Sequence, residues 1–115
     1  SGPRNARADH AVDRGHAQAI FVTGYVISID ETMGKDICRA GWLWQRSVAM
    51  DHPYSWFYLA SHALAGDFAK CRFDVARADI EKYAANFEKY AATTDVEAEE
   101  ARASAATLKA ALAKK

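Results

Sequence analysis

A repeating apolar stripe in the second half of the chain is the feature that most restricts its fold. Apolar residues recur there at alternating spacings of three and four over more than two heptads, and charged residues fill the positions between them. Such a pattern is typical of one face of a long amphipathic α-helix. The stripe predicts a helix over about residues 68–92, with a face formed by Phe73, Ala76, Ile80, Tyr83, Phe87 and Tyr90.

Helix start and stop signals divide the rest of the chain into further helices. Asp36 is suited to cap a helix over residues 37–50, and Pro53 to open one over 53–64 that Gly66 ends. Asp67 is placed to cap the long helix, and residues 94–97 read as a capping box for a last one. Alanine, the best helix former, is abundant throughout. The sequence therefore predicts an all-α fold, a single compact antiparallel bundle of four or five helices.

The segment around residues 20–29 is ambiguous, because its β-branched and aromatic residues favour a strand. No second strand candidate exists in the sequence, and a lone strand cannot pair its backbone groups. We therefore predict a helix over residues 10–33, buried on nearly all sides, with Gly34 ending it. Gly24 within it is placed to allow a close helix crossing.

Length and charge limit the organisation and the classes of partner. A chain of 115 residues has the size of one domain, which we expect over residues 10–115 after a flexible leader at 1–9. The 15 basic and 15 acidic residues balance, so no basic excess favours nucleic acid. The apolar stretch at 17–29 is too short to span a bilayer, so we expect no membrane insertion.

The chain has two cysteines, Cys38 and Cys71, near the predicted starts of the second and fourth helices. They could form a disulfide in an oxidising compartment or remain buried thiols in a reducing one. We favour the bridge, which would close a loop of about 34 residues.

Catalytic and metal-binding patterns are sparse. The sequence has no nucleophile elbow, phosphate-binding loop, zinc-protease motif or dinucleotide fingerprint, so we expect no enzyme activity, catalytic residue or cofactor. Asp9, Asp13 and His16 share one helix face and are the one candidate metal set. Polar residues at a helix start explain them as well, and we predict no metal site.

Aromatic residues crowd the stretch around the turn between the second and third helices. One amphipathic helix cannot bury consecutive aromatic residues on one side, so some rings are expected to be exposed. Exposed tryptophan and tyrosine are favoured anchors of protein interfaces. The predicted partner-binding residues are Trp42, Tyr54, Trp56 and Tyr58.

The order of several short motifs resembles a known family. Residues 24–30 read Gly-Tyr-Val-Ile-Ser-Ile-Asp, and Ile37-Cys38, His52-Pro53 and an Ala-Leu-Ala run before Cys71 follow. This order resembles the periplasmic immunity proteins of the Rap and Tai kind, which neutralise type VI secreted amidases. The resemblance implies bridged cysteines, a periplasmic or secreted location and inhibition of a toxin by direct binding.

A second reading comes from residues 56–78, where small and large residues around Gly66-Asp67 resemble a single tetratricopeptide-like hairpin. It implies a helical adaptor, or a dimerisation module that uses the stripe of the long helix together with that of the last helix, which is formed by Ala101, Ala105, Leu108 and Leu112. A cytoplasmic location and a homodimer would fit this alternative. In both readings the expected partner is another protein.

Overall fold

The computed structural model describes the backbone of residues 6–115 and the side chains of residues 14–115. The all-α prediction is confirmed: the described chain contains five α-helices, one short 3-10 helix and no strand. Its contacts divide into two compact units: unit 1 is Ser1–His52, and unit 2 is Pro53–Lys115. One domain over residues 10–115 stays a prediction, and residues 1–5 of the expected leader lie outside the described part.

The first unit consists of two packed helices joined by a 3-10 turn. Helix α1 spans Ala6–Ile29, the 3-10 helix spans Glu31–Met33, and α2 spans Ile37–Val48. Asp30 caps the 3-10 helix through the amide of Thr32, and Gly34 ends it in the left-handed conformation. The predicted cap of α2 is confirmed, since the Asp36 carboxylate accepts a hydrogen bond from the Arg39 amide.

The ambiguous segment at residues 20–29 is helical, which settles the question that local propensity left open. A helix packed on a neighbour satisfies its own backbone, whereas no strand partner exists among the described residues. The expected burial on nearly all sides is wrong, because side chains on one face of α1 remain exposed. In unit 1, α2 is the helix that packs on α1, so it covers one face.

The close crossing predicted at Gly24 is confirmed. Gly24 faces Trp44 and the backbone of Ala40 on α2. The indole nitrogen of Trp44 donates a hydrogen bond of 3.3 Å to the carbonyl oxygen of Phe21. From Gly24 back to Phe21 in α1, the contacts move forward from Ala40 to Trp44 in α2, so the two helices run antiparallel.

The second unit consists of three antiparallel helices: α3 at Pro53–Leu64, α4 at Arg77–Thr93 and α5 at Ala98–Lys114. Tyr54 contacts Tyr90 while Phe57 contacts Phe87, so α3 and α4 run in opposite directions. The buried residues of the core are Leu59, Ala60, Ile80, Ala84, Phe87, Ala91, Ala101, Ala105 and Leu108. The predicted stripe positions that lie within α4 and α5 therefore face the interior of this unit.

The predicted start of the long helix is wrong. Helix α4 begins at Arg77, and residues 65–76 form turns and irregular chain. Phe68 is buried there and its ring lies 5.1 Å from that of Phe73, so the segment packs on itself. Asp67 does not cap a helix, because its carboxylate binds His62 Nδ1 at 2.7 Å.

The capping box predicted before α5 is also absent. The Thr94 hydroxyl accepts a hydrogen bond from the Val96 amide, within a turn. Glu97 precedes α5 in the left-handed conformation with a φ of 47° and makes no side-chain cap. Lys35 and Asp51 are also non-glycine residues at positive φ, 48° and 59°, and both lie in connections.

Candidate protein-binding surface

Helix α1 is apolar on two opposite faces, and the structure covers one of them. The inner face is formed by Ala17, Ile20, Gly24 and Ile27, all buried. Their spacings of three and four residues match the helical repeat and direct them toward α2. This face accounts for the packing of unit 1, so the opposite face is left for another role.

The opposite face carries a second apolar stripe, which we call the outer seam. Val22, Val26 and Ile29 are 42%, 41% and 54% exposed, and Gly15 and Ala19 continue their line toward the start of the helix. Positions 15, 19, 22, 26 and 29 alternate spacings of four and three, the repeat of a coiled-coil seam. Large apolar side chains exposed in one line mark an interaction surface more often than isolated ones do.

The surroundings of the outer seam extend its apolar character. Tyr25 beside it is 39% exposed, and Met33 in the 3-10 helix that follows is 50% exposed. Between Arg14 and Asp30, the single residue of α1 with a side chain that can carry a charge near neutral pH is His16. The Thr23 and Ser28 hydroxyls donate to backbone carbonyls within the helix. The seam therefore suits an apolar partner.

A charged residue stands at each end of the outer seam. Hydrogen bonds from the side chain and backbone of Thr32 hold the pKa of the Asp30 carboxyl below its usual value. Asp30 is thus an anion at neutral pH. It places a negative charge directly after the last seam residue, whereas Arg14 places a positive one directly before the first.

The predicted aromatic surface is only partly exposed. Trp42 on α2 is 53% exposed, and the Arg46 guanidinium lies 5.1 Å from its ring centre. The three other predicted residues belong to the second unit and are half-buried: Tyr54, Trp56 and Tyr58. No finding tests their role in binding, and that role stays a prediction.

The half-buried rings of α3 pack inside their own unit. The Tyr54 ring lies 5.7 Å from that of Phe87, and burial raises its pKa ahead of smaller effects from Tyr90 and nearby glutamates. Trp56 packs against the core cluster around Phe87. Tyr58 contacts Phe57 edge-on at 5.5 Å. Contacts within unit 2 leave these three rings half-buried. Trp42, with 53% of its surface exposed, is the most accessible of the four predicted residues.

Cys38 and Cys71 are disulfide-bonded, as predicted. Cys38 lies in the first turn of α2, where the sequence placed it. Cys71 lies in the irregular segment before α4 rather than in a helix. A disulfide is compatible with a protein outside the reducing cytoplasm.

Two of the three members of the candidate metal set lie outside the described side chains. Within the described side chains, no group of three or more His, Cys, Asp and Glu residues could hold a metal ion. Asp9 and Asp13 lie outside those side chains, and His16 is exposed. His52 is buried, bonds through Nε2 to the Gln18 amide oxygen and stacks on Phe21 at 4.7 Å.

Sequence reasoning missed the outer seam, although its signal was present. The 4-3-4-3 spacing of positions 15–29 is present in the sequence, but both faces of α1 are apolar, and the helix was predicted to be buried on nearly all sides. Of the described helices, none is long and apolar enough to cross a membrane. Comparison with family models, curated protein sequences and solved structures yields no match.

Proposed function

We propose that this protein is a protein-binding module, with the outer seam of α1 as its main contact surface. The observation that supports the proposal is the exposure of Val22, Val26 and Ile29 in one uncharged line. Exposing them to water costs free energy, roughly 25 cal/mol for each Å² of apolar surface left uncovered. A partner that covers the seam recovers this free energy.

Unit 2 exposes less apolar surface that could bind a partner. The stripes of α4 and α5, on which a dimerisation module would depend, are occupied by each other and by α3. The exposed large apolar residue of this unit is Val96, at 67%, in the turn before α5. A lone exposed side chain does not make an interface. The proposal therefore assigns binding to unit 1, where a line of such side chains exists.

The proposed location is periplasmic or secreted. The disulfide supports it, because such bonds persist in oxidising compartments and are rare in the cytoplasm. The test is the mass of the intact protein, isolated from its own cells with free thiols blocked at lysis. A deficit of two hydrogens without thiol adducts supports export, and two blocked thiols would favour the cytoplasmic alternative.

The more specific form of the proposal is an immunity protein that inhibits a toxin by binding it. Two features support it: the bridged cysteines that the resemblance implies, and the exposed Trp42 as a second contact point. It predicts that cells lacking the protein are intoxicated by neighbours of their own strain. Rescue by the wild-type protein but not by a Trp42→Ala variant would support this form, and the absence of any such intoxication would contradict it.

The binding proposal is tested by photo-crosslinking in the cells that make the protein. A photoreactive phenylalanine analogue replaces Val26 in the seam or, as the matched control, Val96 in unit 2. Val96 is more exposed than Val26, so simple collisions favour adducts at the control position. A discrete protein adduct at position 26 and none at position 96 supports the proposal. Equal adducts, or none at either position, would contradict it.

A further inference from the structure

We infer that the partner of the outer seam is the same seam of a second copy of this chain, running antiparallel to it. The inference deepens the proposed function and rests on it. The seam fits its own reversed copy because side-chain size and charge both change along it in a complementary way.

The first observation is the size gradient along the seam. Its residues are small at the start of the helix, Gly15 and Ala19, and large toward its end, Val26 and Ile29. In an antiparallel coiled coil, a and d positions of opposite chains share a layer. When the two-fold axis crosses the seam at the level of residue 24, Ala19 faces Ile29 of the partner subunit, and Val22 faces Val26 of the partner subunit. Each layer then holds a similar side-chain volume.

A parallel pair would lack this match. Ala19 would meet Ala19 of the partner subunit at one end, and Ile29 would meet Ile29 of the partner subunit at the other. Two helices packed in this way would be close at one end and wedged apart at the other. Good packing requires a nearly constant separation along the seam. The antiparallel arrangement meets that requirement with the residues present.

The second observation is the charge along the edges of the seam. Antiparallel pairing brings the start of each seam, where His16 lies, to the level of the end of the other, where Asp30 of the partner subunit directly follows the last residue of α1. Asp30 is anionic at neutral pH, as its hydrogen bonds to Thr32 show. The central pairs on the two edges are Thr23 with Thr23 of the partner subunit and Tyr25 with Tyr25 of the partner subunit. Along positions 15–29, antiparallel pairing therefore sets no two like charges side by side.

The third observation is the length of the seam, which sets the expected affinity. Positions 15–29 span about 21 Å of helix. A two-helix contact of this length lies at or below the lower end of specific interfaces, near 1,200 Å² in total. The dimer is therefore expected to be weak, with a dissociation constant in roughly the micromolar to submillimolar range. A purified protein at low concentration would be monomeric, and a concentrated one dimeric.

The experiment is sedimentation equilibrium of the purified, disulfide-bonded full chain over concentrations up to about 500 μM, chosen to span that affinity range. The wild-type protein is expected to dimerise reversibly. Val26→Glu should raise the dissociation constant at least tenfold, because symmetry places the buried charge in two layers. Val96→Glu, the same change in unit 2, should leave it unaltered. A wild-type protein monomeric throughout, or a dimer unaffected by Val26→Glu, would overturn the inference.

Orientation is tested by exchanging the sizes within one layer. Ala19→Ile alone should weaken the antiparallel dimer by roughly tenfold, because two isoleucines overfill the layer. Adding Ile29→Ala should restore the dimer, since the layer volume is then the same as before. Both positions are exposed in the single chain, so circular dichroism should show unaltered helix content. Tighter dimerisation of the single variant would indicate the parallel pair and overturn the inference.

The two proposals fail in different ways. An adduct of position 26 to another protein, with a monomeric wild type in the centrifuge, would overturn self-pairing and retain the binding function. An adduct to a second copy of the chain supports both. No adduct together with a monomeric protein would overturn both.

Discussion

The indole nitrogen of Trp44 lies only 2.7 Å from the point where a β-carbon on Gly24 would stand. The carbonyl oxygen of Ala40 would be 3.2 Å from the same point. The closest atom belongs to a fully buried ring held by a hydrogen bond to Phe21, so it has little room to move. Close contact between α1 and α2 therefore depends on glycine at this position.

The first prediction follows from that contact. Gly24→Ala should lower the free energy of unfolding of unit 1 by about 1–2 kcal/mol, since overpacking outweighs the gain in helix propensity. Gly15→Ala is the matched control, because a β-carbon there meets nothing within 4 Å. It should stabilise α1 by up to about 1 kcal/mol. Urea unfolding of both variants, in dilute solution, measures the difference, and equal shifts would contradict the role of the crossing.

The second prediction concerns pH and His52. Burial holds the pKa of His52 below its ordinary value of 6.5, so the folded protein binds this proton more weakly than the unfolded chain. Stability should be full above pH 6.5 and should decrease as the pH falls from 6.5 toward 5. One proton limits the slope to about 1.4 kcal/mol per pH unit.

Two variants test whether His52 causes the loss of stability at lower pH. His52→Gln should flatten the decrease between pH 6.5 and 5, whereas His16→Gln, at an exposed position, should retain it. Asp30 acts in a different range, because its pKa is lowered from 3.8 and its contribution is lost only below about pH 4. Thermal melts at half-unit pH steps provide the measurement. An unchanged profile in His52→Gln would refute the assignment.

The third prediction concerns the disulfide. Replacing both Cys38 and Cys71 with serine releases a loop of about 34 residues in the unfolded chain. The chain-entropy model gives a loss of about 3–4 kcal/mol in the free energy of unfolding. Denaturation of the double variant beside reduced and alkylated wild type tests it. A loss below about 1 kcal/mol in both would show that the bridge stabilises far less than chain entropy predicts.

The fourth prediction separates binding from folding among the aromatic residues chosen from the sequence. Trp42→Ala should leave the stability within about 0.5 kcal/mol, because its side chain is exposed. Tyr54→Ala should cost about 1–3 kcal/mol, since its ring packs against Phe87 and Tyr90. Tyr54→Phe retains the ring and should cost less. Equal losses for Trp42→Ala and Tyr54→Ala in thermal melts would place Trp42 in a core rather than on a surface.

Local sequence signals predicted the helix boundaries that depend on the preference of a single residue. The Asp36 cap, the start of α3 at Pro53 and its end before Gly66 were all predictable, because each follows from the backbone preference or capping chemistry of one residue. The two cysteines also pair as expected.

Features that depend on packing were not predictable in the same way. The stripe from Phe73 onward continues the helical spacing of α4, yet Phe73 packs on Phe68 in an irregular segment. Periodicity alone cannot distinguish a helical turn from a coincidence of spacing. Hydrophobicity in α1 likewise could not separate the face that packs on α2 from the face left exposed, because both contain the same residue types.

Three connecting residues, Lys35, Asp51 and Glu97, adopt left-handed backbone conformations that cost a residue with a side chain roughly 1–2 kcal/mol each. Glycine at any of the three would remove that strain, although it would also lose more chain entropy on folding. The helices themselves need no such change. Thermal tolerance in this protein could therefore be raised by exchanging residues in the connections while the outer seam, the Gly24 crossing and the core of unit 2 remain as they are.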